Sequence, residues 1–277
     1  MGCPPDGVPR SIENMKFLVQ NQPAFAYTGS KPLDPAKPAI VFIHGAANDH
    51  SVWQLQSRYF AHHGFNAVAV DLPGHGKSFG ASRLSIAAYA EWMVTFLDAG
   101  GFATATLAGH SMGALIAVEM ALRFPARVDR LALLGISVPM PVADVLLTAA
   151  RDEPSTAYDM LNLWGHGPVA KIGRSPAPGL SLFGNYLRLL EQSQPGVLHN
   201  DLKACNDYRP DPAALKSIAC PALIMMASRD QMTPPLAVKA AASQIPTSTT
   251  VVIESGHAMM SEAPDAVLNH LRSFVEH

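Results

Sequence analysis

Gly109-His110-Ser111-Met112-Gly113 reads G-x-S-x-G, and its flanks decide what it means. Ala105-Thr106-Leu107-Ala108 precedes it, and Ala114-Leu115-Ile116-Ala117-Val118-Glu119-Met120-Ala121-Leu122 follows. The first run suits a buried strand and the second a helix, so the serine falls on a strand–turn–helix junction. A turn that sharp strains the serine backbone, and it packs strand against helix so closely that the flanking positions favour glycine. The Ser111 hydroxyl is then lifted above the sheet edge at a helix N-terminus, where developing negative charge is favoured. A bare G-x-S-x-G recurs by chance; the weight comes from the rest of the chain.

Outward from this junction, apolar runs alternate with helical patterns. Ala39–His44 and Asn66–Asp71 are continuous runs of the kind that fill a parallel sheet, with helical spacing over Ser51–His63 between them. Ser85 caps a helix that stops at Gly100-Gly101. Strands are expected at Arg130–Ile136, Pro221–Ala227 and Thr249–Glu254, and helices at Leu236–Gln244 and Pro264–Glu276. Two short strands, Met15–Gln20 and Ala24–Thr28, open the chain around a turn at Asn21-Gln22-Pro23. The alternation predicts an α/β, doubly wound, mostly parallel sheet. It breaks between 137 and 211, a Pro-, Gly-, Met- and Leu-rich stretch with helical segments at Val142–Arg151, Thr156–Trp164 and Leu180–Gln192. The domain reading is a core formed by 1–136 and 212–277, with 137–211 as a helical insertion.

A serine hydroxyl needs a base, and the base an orienting acid. In a doubly wound sheet such groups sit on loops leaving the carboxyl ends of strands. Ser228-Arg229-Asp230 and Ser255-Gly256-His257 each follow a predicted strand directly, giving the chain order Ser111, Asp230, His257.

In that order the chain resembles the α/β-hydrolase family, serine esterase-like, of the carboxylesterase or perhydrolase type with a helical lid. The resemblance runs from Met15 to His277. His44-Gly45 resembles the family's oxyanion loop, Asp71-Leu72-Pro73-Gly74-His75-Gly76-Lys77-Ser78 its D-x-P-G-x-G-x-S stretch, and 137–211 its lid. The resemblance implies a catalytic triad of Ser111 nucleophile, His257 base and Asp230 acid, with the backbone N–H groups of Ala46 and Met112 as oxyanion hole. It implies cleavage of small or medium carboxylic esters through an acyl-enzyme. Lactones, thioesters and C–C substrates belong to the same machinery. A serine nucleophile argues against epoxide opening or halide displacement, which use a carboxylate in this fold. The alternative from another class is a small-molecule receptor that keeps the triad but turns over slowly.

Candidate pocket residues are Trp53, His110, Met140, Leu146 and Trp164, with His110 read as packing beside the serine and not as base. His44 is expected to shape the oxyanion loop and His75 to be structural. Some relatives carry the acid after the strand before the lid, but Gly135-Ile136-Ser137-Val138-Pro139 offers no carboxylate there. No H-E-x-x-H, Cys/His cluster or G-x-G-x-x-G is present, so neither metal nor other cofactor is expected. The 277 residues are 48% hydrophobic and 15% charged with net charge −2, which points to a globular protein with no nucleic-acid or membrane partner. Met1–Gly7 lacks a signal-like apolar core, Asp6 breaks a myristoylation motif, and Cys3, Cys205 and Cys220 suit a reducing compartment, so a cytoplasmic location is expected. No clean basic amphipathic face suggests action at an oil–water interface.

Overall fold

The apolar runs become the middle of an eight-stranded sheet. The computed structural model describes residues 15–173, 175–176 and 179–276; the turn-rich Met1–Gly7 stretch, Cys3 and His277 lie outside them. In chain order the strands are β1 (Met15–Val19), β2 (Gln22–Tyr27), β3 (Ala39–Ile43), β4 (Asn66–Val70), β5 (Ala105–His110), β6 (Val128–Leu134), β7 (Ala222–Ala227) and β8 (Ser248–Ile253). Across the sheet they lie in the order β1-β2-β4-β3-β5-β6-β7-β8. β1, β2 and β4 pair antiparallel; from β4 onward all pairs are parallel.

The helices of the sheet domain are α1 (Gln54–His62), α2 (Ile86–Ala99) and α3 (Met112–Arg123). The chain between β6 and β7 adds α4 (Asp144–Asp152), α5 (Pro154–Gly165), α6 (Pro168–Lys171), α7 (Leu182–Glu191), α8 (Val197–Asp207) and α9 (Pro212–Leu215). After β7 come α10 (Pro235–Ala242), α11 (Met259–Glu262) and α12 (Pro264–Glu276). Ser85 caps α2 by accepting from the Ala88 amide at 3.1 Å.

Strand periodicity sorts the core onto two faces. Val41, Ile43, Val68, Val70 and Leu107 pack with α2, α3 and α10, while Ile40, Phe42, Ala67, Ala69 and Ala108 pack with α1 and α12. A third apolar cluster, including Leu146, Ala150, Leu161, Leu190, Leu198 and Leu202, joins α4, α5, α7 and α8 and takes in Ala47 from the sheet domain. No helix among the described residues is long and apolar enough to cross a membrane.

The opening hairpin departs from the sequence reading. Its turn is Gln20-Asn21, with φ of 49° and 62°, and not Asn21-Gln22-Pro23. Two left-handed residues give the turn whose twist matches the flanking strands. Pro23 then lies inside β2 opposite Leu18, and β4 joins only from Ala26, so the missing N–H breaks no ladder on that side.

The strand order reverses around β3. The chain leaves β3 for β4 on one side, then crosses to β5 on the other. The carboxyl ends of β3 and β5 therefore flank the crevice where an open α/β sheet takes its ligands.

Candidate active site

Ser111 occupies that crevice in a strained conformation, φ 54° and ψ −117°, between β5 and α3. Its amide donates to Leu134 O at 2.9 Å, which ties the turn to β6. A Cβ on Gly109 would strike the Gly113 carbonyl, and one on Gly113 would strike the carbonyl of Ile43. The glycines of the motif thus let β5, α3 and the end of β3 close on one another.

The loop after β3 touches the serine. A Cβ on Gly45 would stand 3.3 Å from Ser111 Cβ and 3.2 Å from His110 Nδ1. Ala46 follows, lining the same cavity as Ser111. The Met112 amide is among the first-turn donors that a helix leaves without an internal acceptor, while the Met112 side chain is buried in the core.

Asp230 and His257 meet. His257 Nδ1 lies 2.7 Å from Asp230 Oδ2. The other carboxylate oxygen, Oδ1, accepts the amides of Met232 at 2.8 Å and Thr233 at 2.9 Å, and Thr233 Oγ1 donates to Oδ2 at 2.7 Å. Burial pushes the Asp230 carboxyl up, but the His257 imidazole and the Thr233 donors outweigh it and hold the group below the usual carboxylate range. His257 is buried, and its ring lies against the end of β6: a Cβ on Gly135, itself at φ 60°, would come within 3.0 Å of His257 Cε1. Loops after β3, β5, β6, β7 and β8 thus converge at one rim of the sheet.

His110 supports His257 without joining the Asp230 pair. Its Nε2 lies 2.9 Å from His257 O, a carbonyl, so Nε2 carries the hydrogen, and the two rings pack at 4.6 Å. Nδ1 is buried without a partner among the described residues. Burial drops the His110 pKa to about 3. His44 is held similarly. Its Nδ1 donates to Gly45 O at 2.8 Å and Nε2 accepts from the Leu72 amide at 3.1 Å, which defines the neutral tautomer. Burial and the neighbouring His75 lower its pKa to about 4.

These two rings set an acid limit on stability. Both pKa values lie below the ordinary 6.5, so between that value and the folded one the unfolded chain binds more protons. Stability is present above 6.5 and lost as pH falls. At pH 5 each ring costs about 2 kcal/mol. His75 is raised and acts oppositely, its contribution complete below 6.5 and lost as pH rises through its folded value. Urea unfolding at pH 7 and 5 is expected to show the net acid loss, and His110→Asn a shallower slope. An unchanged slope in that variant would refute the account.

Ser111, Ala46, His110, Met140, Leu146, Trp164 and His257 line one cavity of about 180 Å³ between the sheet and the insertion. Asp230 stands behind His257. Trp53 is the correction: it lines neither this cavity nor the adjoining one. The short helix His50–Trp53 turns its ring onto Phe42, centroids 5.2 Å apart, where it is fully buried between the sheet and α1. Sequence reasoning missed Asn48, Leu202 and Cys205 as cavity residues. Burial pushes the Cys205 thiol up, so it stays protonated. A second cavity of about 390 Å³ shares Asn48, His110, Tyr186 and His257 with the first and extends to Val52, Leu55 and Leu189. Tyr186 and Asn48 both line this junction, and burial pushes the Tyr186 phenol up to about 12.

The chain belongs to the alpha/beta hydrolase family, whose model matches residues 40–270. It is therefore a hydrolase of that family. A protein of Mycobacterium tuberculosis without an assigned function is 29% identical over 258 residues, spanning 86% of this chain and 75% of that one. The (E)-2-((N-methylformamido)methylene)succinate hydrolase of Acinetobacter baylyi is 25% identical over 245 residues, spanning 86% and 90%. The enol-lactonase of Burkholderia xenovorans superposes with a TM-score of 0.83 at 20% identity over 95% of this chain and all of that one, a likeness of fold.

Proposed function

We propose that the protein is a serine hydrolase that cleaves small or medium carboxylic esters, lactones included, through an acyl-enzyme. The observation that carries the reading is the His257–Asp230 bond of 2.7 Å beside a cavity that Ser111 lines. With Nδ1–H donated to Asp230, the neutral ring keeps a bare Nε2 to act as base. Ser111 Oγ attacks the ester carbonyl as Nε2 takes its proton. The tetrahedral oxyanion settles against the amides of Ala46 and Met112 at the N-terminus of α3. Collapse breaks the C–O bond, and His257 returns the proton to the departing alcohol. A water then repeats the sequence, giving the acid and free Ser111.

Apolar lining from Met140, Leu146, Leu161 and Trp164 suits a hydrocarbon acyl or alcohol group, and no Lys or Arg among the described residues lines the cavity to pair with a free carboxylate. The insertion 137–211 acts as the lid that shapes this space. The enol-lactonase neighbour, by its name a lactone-opening enzyme, agrees with ester-bond chemistry.

Turnover of p-nitrophenyl acetate and butyrate tests the reading. Multiple turnovers are expected in the wild type, with rates near background in Ser111→Ala. Undiminished turnover in that variant removes the serine mechanism, and a single stoichiometric burst without further release favours the receptor reading.

A further inference from the structure

The proposed reaction leaves two buried carboxylates unused, Asp71, which fixes the loop after β4 by accepting from the His50 and Lys77 amides, and Asp201. Asp201 lies on α8, inside the insertion, and is fully buried where the insertion meets the sheet domain. It accepts three hydrogen bonds from three separate parts of that domain. Oδ2 takes the Ala47 amide at 2.9 Å and His75 Nε2 at 2.7 Å; Oδ1 takes the Tyr89 hydroxyl at 2.7 Å.

The partners favour a charged pair. His75 Nδ1 lies 3.1 Å from Pro73 O, which can only accept. A hydrogen on each ring nitrogen satisfies both contacts, which favours an imidazolium paired with the Asp201 carboxylate. Burial opposes this, but the charge and hydrogen bond of Asp201 prevail and raise the His75 pKa. A buried pair of this kind tolerates joint replacement by apolar groups far better than the loss of one partner.

What the carboxylate grips on the loop after β3 is Ala47, a non-glycine residue held at φ 54°. An L-residue keeps that left-handed backbone only where its surroundings impose it. Two bonds impose it here: Ala47 N–H to Asp201, and the Asn48 amide to Gly45 O at 3.2 Å, which closes the turn. The methyl of Ala47 also packs in the apolar cluster with Leu146, Leu198 and Leu202 of the insertion. Ala46, whose amide is the oxyanion donor in the reading above, is the residue between Gly45 and Ala47. The peptide that carries the Ala46 N–H is held at Gly45 O by the Asn48 amide and His44 Nδ1, and the peptide that follows it is held at the Ala47 N–H by Asp201, so the backbone of Ala46 is anchored on both sides.

We propose that Asp201 is a positioning residue: through the Ala47 amide, the insertion sets the direction of the Ala46 oxyanion donor. The helix that roofs the substrate space therefore also completes the charge-stabilising half of the site. Seating of α8 and competence of the oxyanion hole form one condition. This inference rests on the serine-hydrolase reading of the site.

The test separates the two. Wild-type protein is first treated with a fluorophosphonate, and the modified residue is located by peptide mass; failure to modify Ser111 defeats the hydrolase reading itself. Once Ser111 is identified as the labelled residue, p-nitrophenyl butyrate kinetics of untreated protein are compared, per labelable serine, for wild type, Asp201→Ala, and the double variant Asp201→Leu with His75→Phe. The double variant removes both charges together and keeps the volume filled, so it is the variant that reports if Asp201→Ala fails to fold. A kcat lower by ~10²–10³-fold, with KM within about threefold of wild type, is expected in both. In the double variant the loss persists although the thermal midpoint stays close to that of wild type, which a purely structural role does not produce. A double variant with wild-type kcat, or with its loss confined to KM, overturns the positioning role and leaves the hydrolase reading intact.

Discussion

Asp230→Asn is expected to lower kcat about 10⁴-fold while the fold stays intact. The argument lies in the donors around the carboxylate. The amides of Met232 and Thr233 both point at Oδ1, so an asparagine must place its carbonyl oxygen there. Its NH₂ then faces His257 Nδ1, where Oδ2 now stands at 2.7 Å. An NH₂ can only donate, so Nδ1 must accept and the ring proton moves to Nε2. In that tautomer the nitrogen nearer the reacting atoms cannot take the serine proton. Steady-state kinetics with p-nitrophenyl butyrate and a urea melt check both halves of the claim. A variant with kcat within tenfold of wild type would remove Asp230 from the mechanism.

Gly113→Ala is expected to cost more than about 3 kcal/mol or to abolish soluble expression. The added methyl would meet the carbonyls of Ile43 and His44, both backbone at the end of a central strand, with no flexible side chain to yield. Gly165→Ala is the control. Nothing stands within 4 Å of a Cβ there, at the end of α5, and alanine favours the helix by up to ~1 kcal/mol. Urea midpoints compare the two. Equal midpoints for Gly113→Ala and wild type would show that the Ser111 turn is not packed as described.

Much of the scaffold was legible because parallel strands buried on both faces announce themselves. Ala39–Ile43, Ala67–Val70 and Ala222–Ala227 are unbroken apolar runs in the sequence and lie in fully buried strands in the structure. The meeting of Asp230 with His257 was legible for a topological reason, since each lies just past the carboxyl end of a neighbouring parallel strand. Trp53 was misplaced because a residue a few positions after a site loop can face either side of the sheet, and only the pitch of the helix His50–Trp53 decides which.

The helix α8 escaped the sequence reading altogether. Val197, Leu198, Asp201, Leu202, Ala204 and Cys205 form its buried face, but an aspartate within the stripe disguises the period. Its partners lie 154 residues away at Ala47 and 126 away at His75, so no local pattern announces them. The opening hairpin shows a different limit. Pro23 marks a turn by ordinary rules, yet two left-handed residues ahead of it had already made one.

The place of the helical insertion in the topology has a consequence for engineering and descent. It enters after β6 and returns before β7, so it joins the sheet at just two covalent seams, and none of Ser111, Asp230 and His257 is carried by it. Exchanging this segment for that of a cousin would redraw the range of molecules admitted and leave Ser111, Asp230 and His257 in their places. The graft comes with one demand: the incoming piece must bring an oxygen acceptor to the spot beneath Ala47, or the recipient would be roofed but dormant.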